Sequence, residues 1–227
     1  MNDRHSVIDS ITGAFVPIHP DGRKFVFGAL GATLLLFLLI GPLGWLGVIA
    51  TAYCAYFFRD PERVTPKRAG LVVSAADGRI TGVSKVPPAA ELGLAAATAT
   101  RISVFLSVLD VHIVRAPVAG KLVRTNYVPG KFLNAELDKA SEENERLALV
   151  IETPAGEKIG LVLIAGLIAR RIVTFVKEGD SVEAGQRIGL IRFGSRADVY
   201  LPEAAKPLVE IGQTAVGGET VLAEFVR

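Results

Sequence analysis

The longest pattern in the chain is an apolar run from Phe25 to Phe58 that contains no charged residue. It exceeds the ~20 residues of one membrane-spanning helix but is shorter than two full spans. The turn-forming sequence Gly41–Trp45 interrupts the run near its middle. The pattern therefore predicts an N-terminal hydrophobic helical hairpin, Phe25–Ile40 followed by Trp45–Phe58, that dips into a bilayer or barely crosses it.

Basic residues flank the apolar run on both sides. Arg23 and Lys24 precede it, and four more follow it: Arg59, Arg63, Lys67 and Arg68. Because positive charge stays on the cytoplasmic side of a membrane, both flanks are expected there. We interpret 1–24 as a cytoplasmic segment and 25–58 as a membrane hairpin. The protein is thus expected at the cytoplasmic face of the cell membrane, peripheral or hairpin-anchored. A buried pair of core helices in a soluble protein is the alternative.

Beyond the apolar run, short β-type segments alternate with Gly, Pro and Asp. We interpret 59–69 as a linker and 70–227 as a β-rich catalytic domain, mainly β and resembling a compact β-sandwich or barrel-sandwich. Nine strands are predicted: Leu71–Ser74, Arg79–Val86, Arg101–Leu106, Lys121–Val128, Leu147–Glu152, Lys158–Ile164, Ile172–Val176, Gln186–Phe193 and Ala197–Leu201. The acidic stretch Ala135–Arg146 is predicted to be an exposed helix or loop, and Ala89–Thr100 receives no assignment.

Composition removes several classes of function. With 25 Lys+Arg against 23 Asp+Glu, the net charge of +2 is too small to argue for nucleic-acid binding, and none is expected. The single cysteine, Cys54, excludes an intrachain disulfide and a cysteine-based zinc site. Three histidines leave little scope for a histidine-rich metal site, and we expect no metal.

Two segments, Val114–Leu122 and Val176–Gly189, echo each other as strand–turn–strand units. Their pattern is typical of barrel-sandwich hybrids such as biotinyl or lipoyl carriers. Those carriers present a lysine in a tight exposed turn, and no such hairpin tip occurs here. The echo therefore supports the fold and argues against a carrier function.

Three polar residues stand in apolar or Gly-rich surroundings. Asp77 precedes Gly78, and an Asp-Gly pair is most simply a turn. His112 lies in a strand-like segment, where a half-buried strand histidine is the simple interpretation. Ser195 follows Gly194, which is either an ordinary turn or a self-cleavage junction, because the serine hydroxyl can attack the glycine carbonyl if a base activates it.

A series of motifs in a fixed order resembles the phosphatidylserine decarboxylases, specifically their short prokaryotic branch. The motifs are Phe57–Pro61, Ala76–Gly78, Asp110–His112, Arg115–Pro117, Gly130–Phe132, Leu137–Arg146, Ile164–Arg171 and Phe193–Arg196. They extend over nearly the whole chain, and several long motifs in the correct order are far more specific than one Gly-Ser pair.

The resemblance implies a zymogen that processes itself. Ser195 would attack the Gly194 carbonyl to give an ester, and elimination and hydrolysis would leave a pyruvoyl cofactor derived from Ser195. A β chain, 1–194, and an α chain, 195–227, would associate as a heterodimer, with a higher oligomer possible. Asp77 and His112 would polarise the serine hydroxyl as base and orienter.

Three positions, in two motifs, depart from the longer family members. Those carry a second histidine three residues after the first, where this chain has Arg115. Whether His112 serves cleavage, decarboxylation or both is therefore open. The junction also reads Phe-Gly-Ser-Arg in place of Leu-Gly-Ser-Thr.

The implied reaction converts phosphatidylserine in the membrane into phosphatidylethanolamine and CO2 through a Schiff base, the pyruvoyl group serving as electron sink. His112 would protonate Cα. Candidate cations for the phosphodiester are Arg115, Arg170, Arg171 and Arg196, each of which could equally be solvated surface charge.

Two other functions are compatible with parts of the chain. One is a non-enzymatic, membrane-anchored barrel-sandwich adaptor or carrier module. The other is a pyruvoyl decarboxylase acting on a soluble amino acid, which the apolar run disfavours.

Overall fold

The computed structural model describes residues 16–130, 144–166, 171–192 and 195–226. The chain divides into two compact units, Met1–Glu62 and Arg63–Arg227. Most of the predicted segment Ala135–Arg146, together with Gly194 and Arg170, lies outside the described residues. Arg146 itself lies in a strand.

The first unit contains two antiparallel helices, α1 (Pro20–Ile40) and α2 (Gly44–Phe57), joined by the 3-10 turn Gly41–Leu43. The helices approach closely at glycines, because Gly44 packs against Phe37 and Gly47 against Thr33. Thr33 Oγ1 also lies 2.9 Å from Thr51 Oγ1. The predicted hairpin is thus present. Its first helix begins five residues earlier than Phe25, because His19 Nδ1 accepts the Asp21 N–H and Pro20 suits the first helical position.

The surface of the first unit is strongly apolar. The segment Pro20–Phe57 is long and apolar enough to cross a membrane, and only 6% of its most hydrophobic window is buried. Leu38, Leu39 and Trp45 are 82%, 68% and 68% exposed. Side chains of a buried core pair would be covered, so these exposures favour contact with lipid over the soluble alternative.

The second unit is built from fourteen strands in the part of the chain that the structure describes. They are β1 (Leu71–Val73), β2 (Gly78–Val86), β3 (Ala99–Leu106), β4 (Ile113–Arg115), β5 (Gly120–Val128), β6 (Arg146–Glu152), β7 (Lys158–Ala165), β8 (Ile172–Thr174), β9 (Ser181–Val182), β10 (Arg187–Ile191), β11 (Ser195–Leu201), β12 (Ala205–Pro207), β13 (Thr214–Ala215) and β14 (Val221–Phe225). A 3-10 turn, Ala90–Leu92, falls in the segment that received no assignment.

The strands form three sheets. The largest has eight strands in the order β13-β2-β3-β11-β7-β6-β5-β9 and curls into half a barrel. Two three-stranded sheets, β4-β10-β8 and β1-β14-β12, complete the second unit. The mainly β fold class is confirmed. Ladders join the two echoing segments, since β5 pairs with β9 and β4 with β10.

Strand β11 occupies the centre of the largest sheet, between β3 and β7. Ala197, Val199 and Leu201 pack into the main core. Side chains alternate along a strand, so Arg196, Asp198 and Tyr200 project from the opposite face, which Leu92 covers.

The segment Arg63–Arg68 belongs to the second unit by its contacts, although the sequence suggests a linker there. The Val64 N–H donates to Glu219 Oε1 (2.9 Å), and Arg68 Nη2 donates to Glu224 Oε2 (2.5 Å). Thr65 packs so closely on Gly185 that a Cβ there would clash with it. These contacts hold the segment against the β domain.

Candidate active site

Ser195 is the first residue of β11 and lies opposite Leu106 of β3 and Ala165 of β7. It is completely buried, and its Oγ has no hydrogen-bond partner among the described residues. An unsatisfied buried hydroxyl costs about 1–3 kcal/mol, and native proteins tolerate few of them. The Ser195 hydroxyl thus has no competing hydrogen bond among the described residues, a property that Ser84 Oγ and Thr125 Oγ1 share.

Asp77 lies in the bend before β2, with 16% of its side chain exposed. Its Oδ2 accepts from Arg63 Nη2 at 2.5 Å, and its Oδ1 accepts from the Gly217 N–H at 2.6 Å. The bend meets the end of β3 because Gly78, at φ +150°, has no Cβ to strike the Phe105 carbonyl. Asp77 is therefore a fixed carboxylate beside this strand end, not only a turn residue.

His112 lies just before β4 and is completely buried, whereas a half-buried strand histidine is the simpler expectation from the sequence. Its Nδ1 is 2.9 Å from the Asp110 carbonyl. A carbonyl can only accept, so Nδ1 carries the hydrogen, and Nε2 is the acceptor in the neutral ring. The His112 carbonyl accepts from the Ile191 N–H at 3.1 Å.

The backbones that carry these three side chains meet near the end of β3. A Cβ on Gly78 would lie 3.3 Å from the Leu106 Cα. Ser195 is the ladder partner of Leu106. The loop that follows β3 leads to His112, which is hydrogen-bonded to the strand that precedes Ser195.

The candidate arginines occupy different environments. Arg115 is only 5% exposed, and its Nη1 donates to the Gly185 carbonyl at 2.9 Å. Arg171 is exposed.

Arg196 is buried, so the expectation of solvated surface charge is wrong for it, as it is for Arg115. Its Nε and Nη2 each lie 2.9 Å from one oxygen of the fully buried Asp198. This guanidinium is neutralised on the face of β11 opposite Ser195, which makes it a weak candidate for a phosphate ligand.

Two further polar residues near the site were not singled out from the sequence. Arg63 was noted only as a flanking cation, yet it is the partner of Asp77. Asn144 is completely buried, and its Nδ2 donates at 2.7 Å to the carbonyl of Ala165, the residue opposite Ser195. Only the fold brings these residues to the site, although a lone Asn at the end of an acidic stretch is a weak signal.

Within the described ranges, no group of three or more His, Cys, Asp or Glu side chains is arranged to hold a metal ion. Ser195, His112 and Asp77 supply a hydroxyl, an imidazole and a carboxylate that is held by a guanidinium. Such groups can move a proton from a hydroxyl to a leaving amine.

Comparison with known proteins identifies the family of the chain. A family model described as phosphatidylserine decarboxylase matches residues 50–223. The phosphatidylserine decarboxylase proenzyme of Nitrobacter winogradskyi is 58% identical over 216 residues, which are 95% of this chain and 87% of that protein. The matched region includes Asp77, His112 and Ser195. The chain belongs to the phosphatidylserine decarboxylase family.

Proposed function

We propose that the chain is a zymogen that cleaves itself between Gly194 and Ser195 and then decarboxylates phosphatidylserine to phosphatidylethanolamine and CO2. The observation that carries this proposal is the completely buried Ser195 Oγ, which lacks a hydrogen-bond partner among the described residues. The non-enzymatic adaptor is set aside, because the family to which the chain belongs is a family of enzymes.

Cleavage uses groups of this chain alone. Ser195 Oγ adds to the Gly194 carbonyl, the peptide C–N bond breaks, and the hydroxyl proton passes to the amine nitrogen. His112 is suited to carry that proton at Nε2, because the Asp110 carbonyl holds the other ring nitrogen. Elimination at residue 195 then breaks the ester and frees Gly194 as a carboxylate. Water hydrolyses the nitrogen-bearing group that remains, ammonia leaves, and residue 195 retains a keto group.

A pyruvoyl group derived from Ser195 fits this position, because the serine it would replace is enclosed and its hydroxyl has no described partner. Once formed, the group supplies a ketone that binds the substrate amine and accepts the electron pair released with CO2. The neutral imidazole of His112, whose Nδ1 is held by the Asp110 carbonyl, supports a role for Nε2 in returning a proton to the carbon that loses CO2.

The phosphodiester of the substrate is negatively charged and needs a cation to bind it. Arg115 and Arg171 are the described candidates for the phosphodiester.

The Asp77 carboxylate is held by Arg63 and by the Gly217 N–H, so it keeps one geometry during self-cleavage and during decarboxylation. A carboxylate fixed on both oxygens loses little freedom when the reaction begins.

The apolar first unit explains how an enzyme reaches a lipid substrate. A helix of 21 residues spans ~30 Å, about the hydrocarbon thickness of a bilayer, whereas the 14-residue α2 spans ~20 Å. We propose that this unit holds the enzyme at the cytoplasmic face of the cell membrane, assisted by the flanking basic residues.

Intact mass spectrometry of the purified full-length protein tests the proposal. We expect two fragments, 1–194 and 195–227, with the smaller one lighter by one ammonia than a serine-terminated peptide and reactive toward a hydrazide probe. Catalytically competent protein that runs as one uncut chain, or a small fragment with a free serine amine, would contradict the proposal.

A further inference from the structure

The turn Ser107–Asp110, between β3 and β4, presents two apolar side chains to solvent: Val108 and Leu109 are 37% and 58% exposed. Hydrogen bonds hold its backbone. The Ser107 N–H donates to Asp110 Oδ2 at 2.8 Å, and the Asp110 N–H donates to the Ser107 carbonyl at 3.0 Å. The Leu109 N–H donates to Ser107 Oγ at 3.3 Å. The apolar tip therefore stands on a fixed turn.

The same turn holds the imidazole of the candidate site. The Asp110 carbonyl is the hydrogen-bond acceptor for His112 Nδ1, at 2.9 Å. Only one residue, Val111, separates Asp110 from the histidine whose ring its carbonyl orients. The exposed tip and the buried ring are thus connected by one short, hydrogen-bonded piece of backbone.

A cation lies at the same end of the β4-β10-β8 sheet. Ile191 donates its N–H to the His112 carbonyl, and Ile191 is also the ladder partner of Ile172. The residue before Ile172 is Arg171, which is exposed. Apolar side chains and a guanidinium at the same end of one sheet are complementary to the surface of a bilayer that contains anionic headgroups.

We propose that the Ser107–Asp110 turn inserts Val108 and Leu109 among the acyl chains of a membrane containing phosphatidylserine, so that the lipid enters beside His112. This proposal rests on the proposed function. It gives the β domain a lipid contact of its own, separate from the apolar helices.

The test compares two substrates with the full-length, self-processed enzyme in detergent-free vesicles and in solution. The double variant V108S/L109S is assayed on long-chain phosphatidylserine in phosphatidylcholine vesicles and on dihexanoyl phosphatidylserine below its micelle concentration. We expect the ratio of kcat/KM on vesicles to kcat/KM on the short-chain lipid to fall by about tenfold or more, because two apolar side chains lose their contact with lipid.

Val226→Ser is the matched control. Val226 is 64% exposed just after β14, and its N–H is bonded to the Ala204 carbonyl. It lines a pocket with Ala99 and Thr100 at the start of β3, whereas the Ser107–Asp110 turn follows the other end of that strand. This variant should leave the ratio unchanged. A fluorophore on Leu109→Cys, in a Cys54→Ser background, should shift to shorter wavelength on vesicles, whereas one on Val226→Cys should shift much less.

The other outcomes distinguish a failure of this proposal from a failure of the proposed function. An equal loss on both substrates would overturn the proposal, because the turn would then serve only the orientation of His112. An unchanged ratio would also overturn it, as would a vesicle-independent change in oligomeric mass, which would identify a second copy as the occupant. If the wild-type protein acted on neither substrate, the proposed function itself would fail.

Discussion

The two faces of strand β11 both carry buried polar groups, but the hydrogen bonding of these groups differs between the faces. On the core face, Ser195 has a buried hydroxyl without a hydrogen-bond partner among the described residues. On the outer face, Arg196 and Asp198 are as deeply buried but satisfy each other through two bonds of 2.9 Å. The paired face contributes to a defined structure, whereas the unpaired hydroxyl costs stability and is available for chemistry. Changes at Ser195 should therefore alter rates, and changes at Arg196 or Asp198 should alter stability.

The largest effect is expected from Ser195→Ala. Loss of the nucleophile should abolish both the splitting of the chain and decarboxylation, while the unfolding temperature stays within a few degrees of the wild-type zymogen. Gel electrophoresis and CO2 release measure the two losses. Ser84→Ala is the control, because its Oγ is also buried without a described partner. Normal turnover by Ser195→Ala would contradict the assignment of the nucleophile.

Asp198→Ala should cause the largest loss of stability, because it leaves the Arg196 charge buried without its partner. We expect a decrease of about 3–5 kcal/mol in the unfolding free energy. Thermal unfolding by circular dichroism, in the uncut Ser195→Ala background, measures this. Glu224→Ala, which breaks the exposed pair with Arg68, should cost less than about 1 kcal/mol. Similar losses in the two variants would mean that burial does not determine how much each ion pair contributes to stability.

Arg63→Gln should slow self-cleavage by about tenfold, because Asp77 loses a charge-assisted bond but keeps the Gly217 N–H. The rate is followed by the appearance of the two fragments after synthesis. Arg63→Lys should recover part of it, and Arg68→Gln should have no effect. If Arg63→Gln lowered thermal stability as much as Asp198→Ala without slowing cleavage, Arg63 would be structural.

The smallest effect concerns Tyr200, on the outer face. Burial, reinforced by the Asp198 charge, raises the pKa of Tyr200 from 10.0, although Arg101 and Arg196 oppose the shift. The folded state therefore favours the protonated phenol, and its contribution to stability is lost as the pH rises above about 10. Tyr200→Phe should flatten the fall in unfolding temperature above that pH without changing the cleavage rate. An unchanged slope would contradict this.

The long elements could be predicted from the sequence, because each carries its own pattern. The two apolar helices and all nine predicted strands are present, with ends that differ by a few residues. Five short strands were missed: β4, β9, β12, β13 and β14. Strands of two or three residues have no measurable period, and β14 is defined by its ladders to two distant strands, β1 and β12. β11 begins two residues before the predicted strand, and although Arg196 and Asp198 alternate with Ala197 and Val199, this alternation does not fix the start of the strand at Ser195.

The polar residues of the site were predictable by type but not by partner. Ser195, His112 and Asp77 stand out in apolar or Gly-rich sequence. The pairing of Arg63 with Asp77, and the burial of Arg115 and Arg196, depend on contacts between distant segments. Local sequence favours solvated positions for arginines, and only the fold supplies Gly185 as the acceptor of Arg115. The acceptor of Arg196 is local, because Asp198 is two residues away on the same face of β11.

The central position of β11 determines how firmly the two fragments would stay associated after the proposed cleavage. A break before Ser195 leaves the small fragment hydrogen-bonded to β3 and β7, and β14 pairs with β1 and β12. The fragment can leave only if the sheets come apart. Once they do, reassembly requires an encounter between two molecules, so recovery depends on concentration. The proposed cleavage would therefore turn one polypeptide into a two-chain complex whose persistence depends on how slowly it opens.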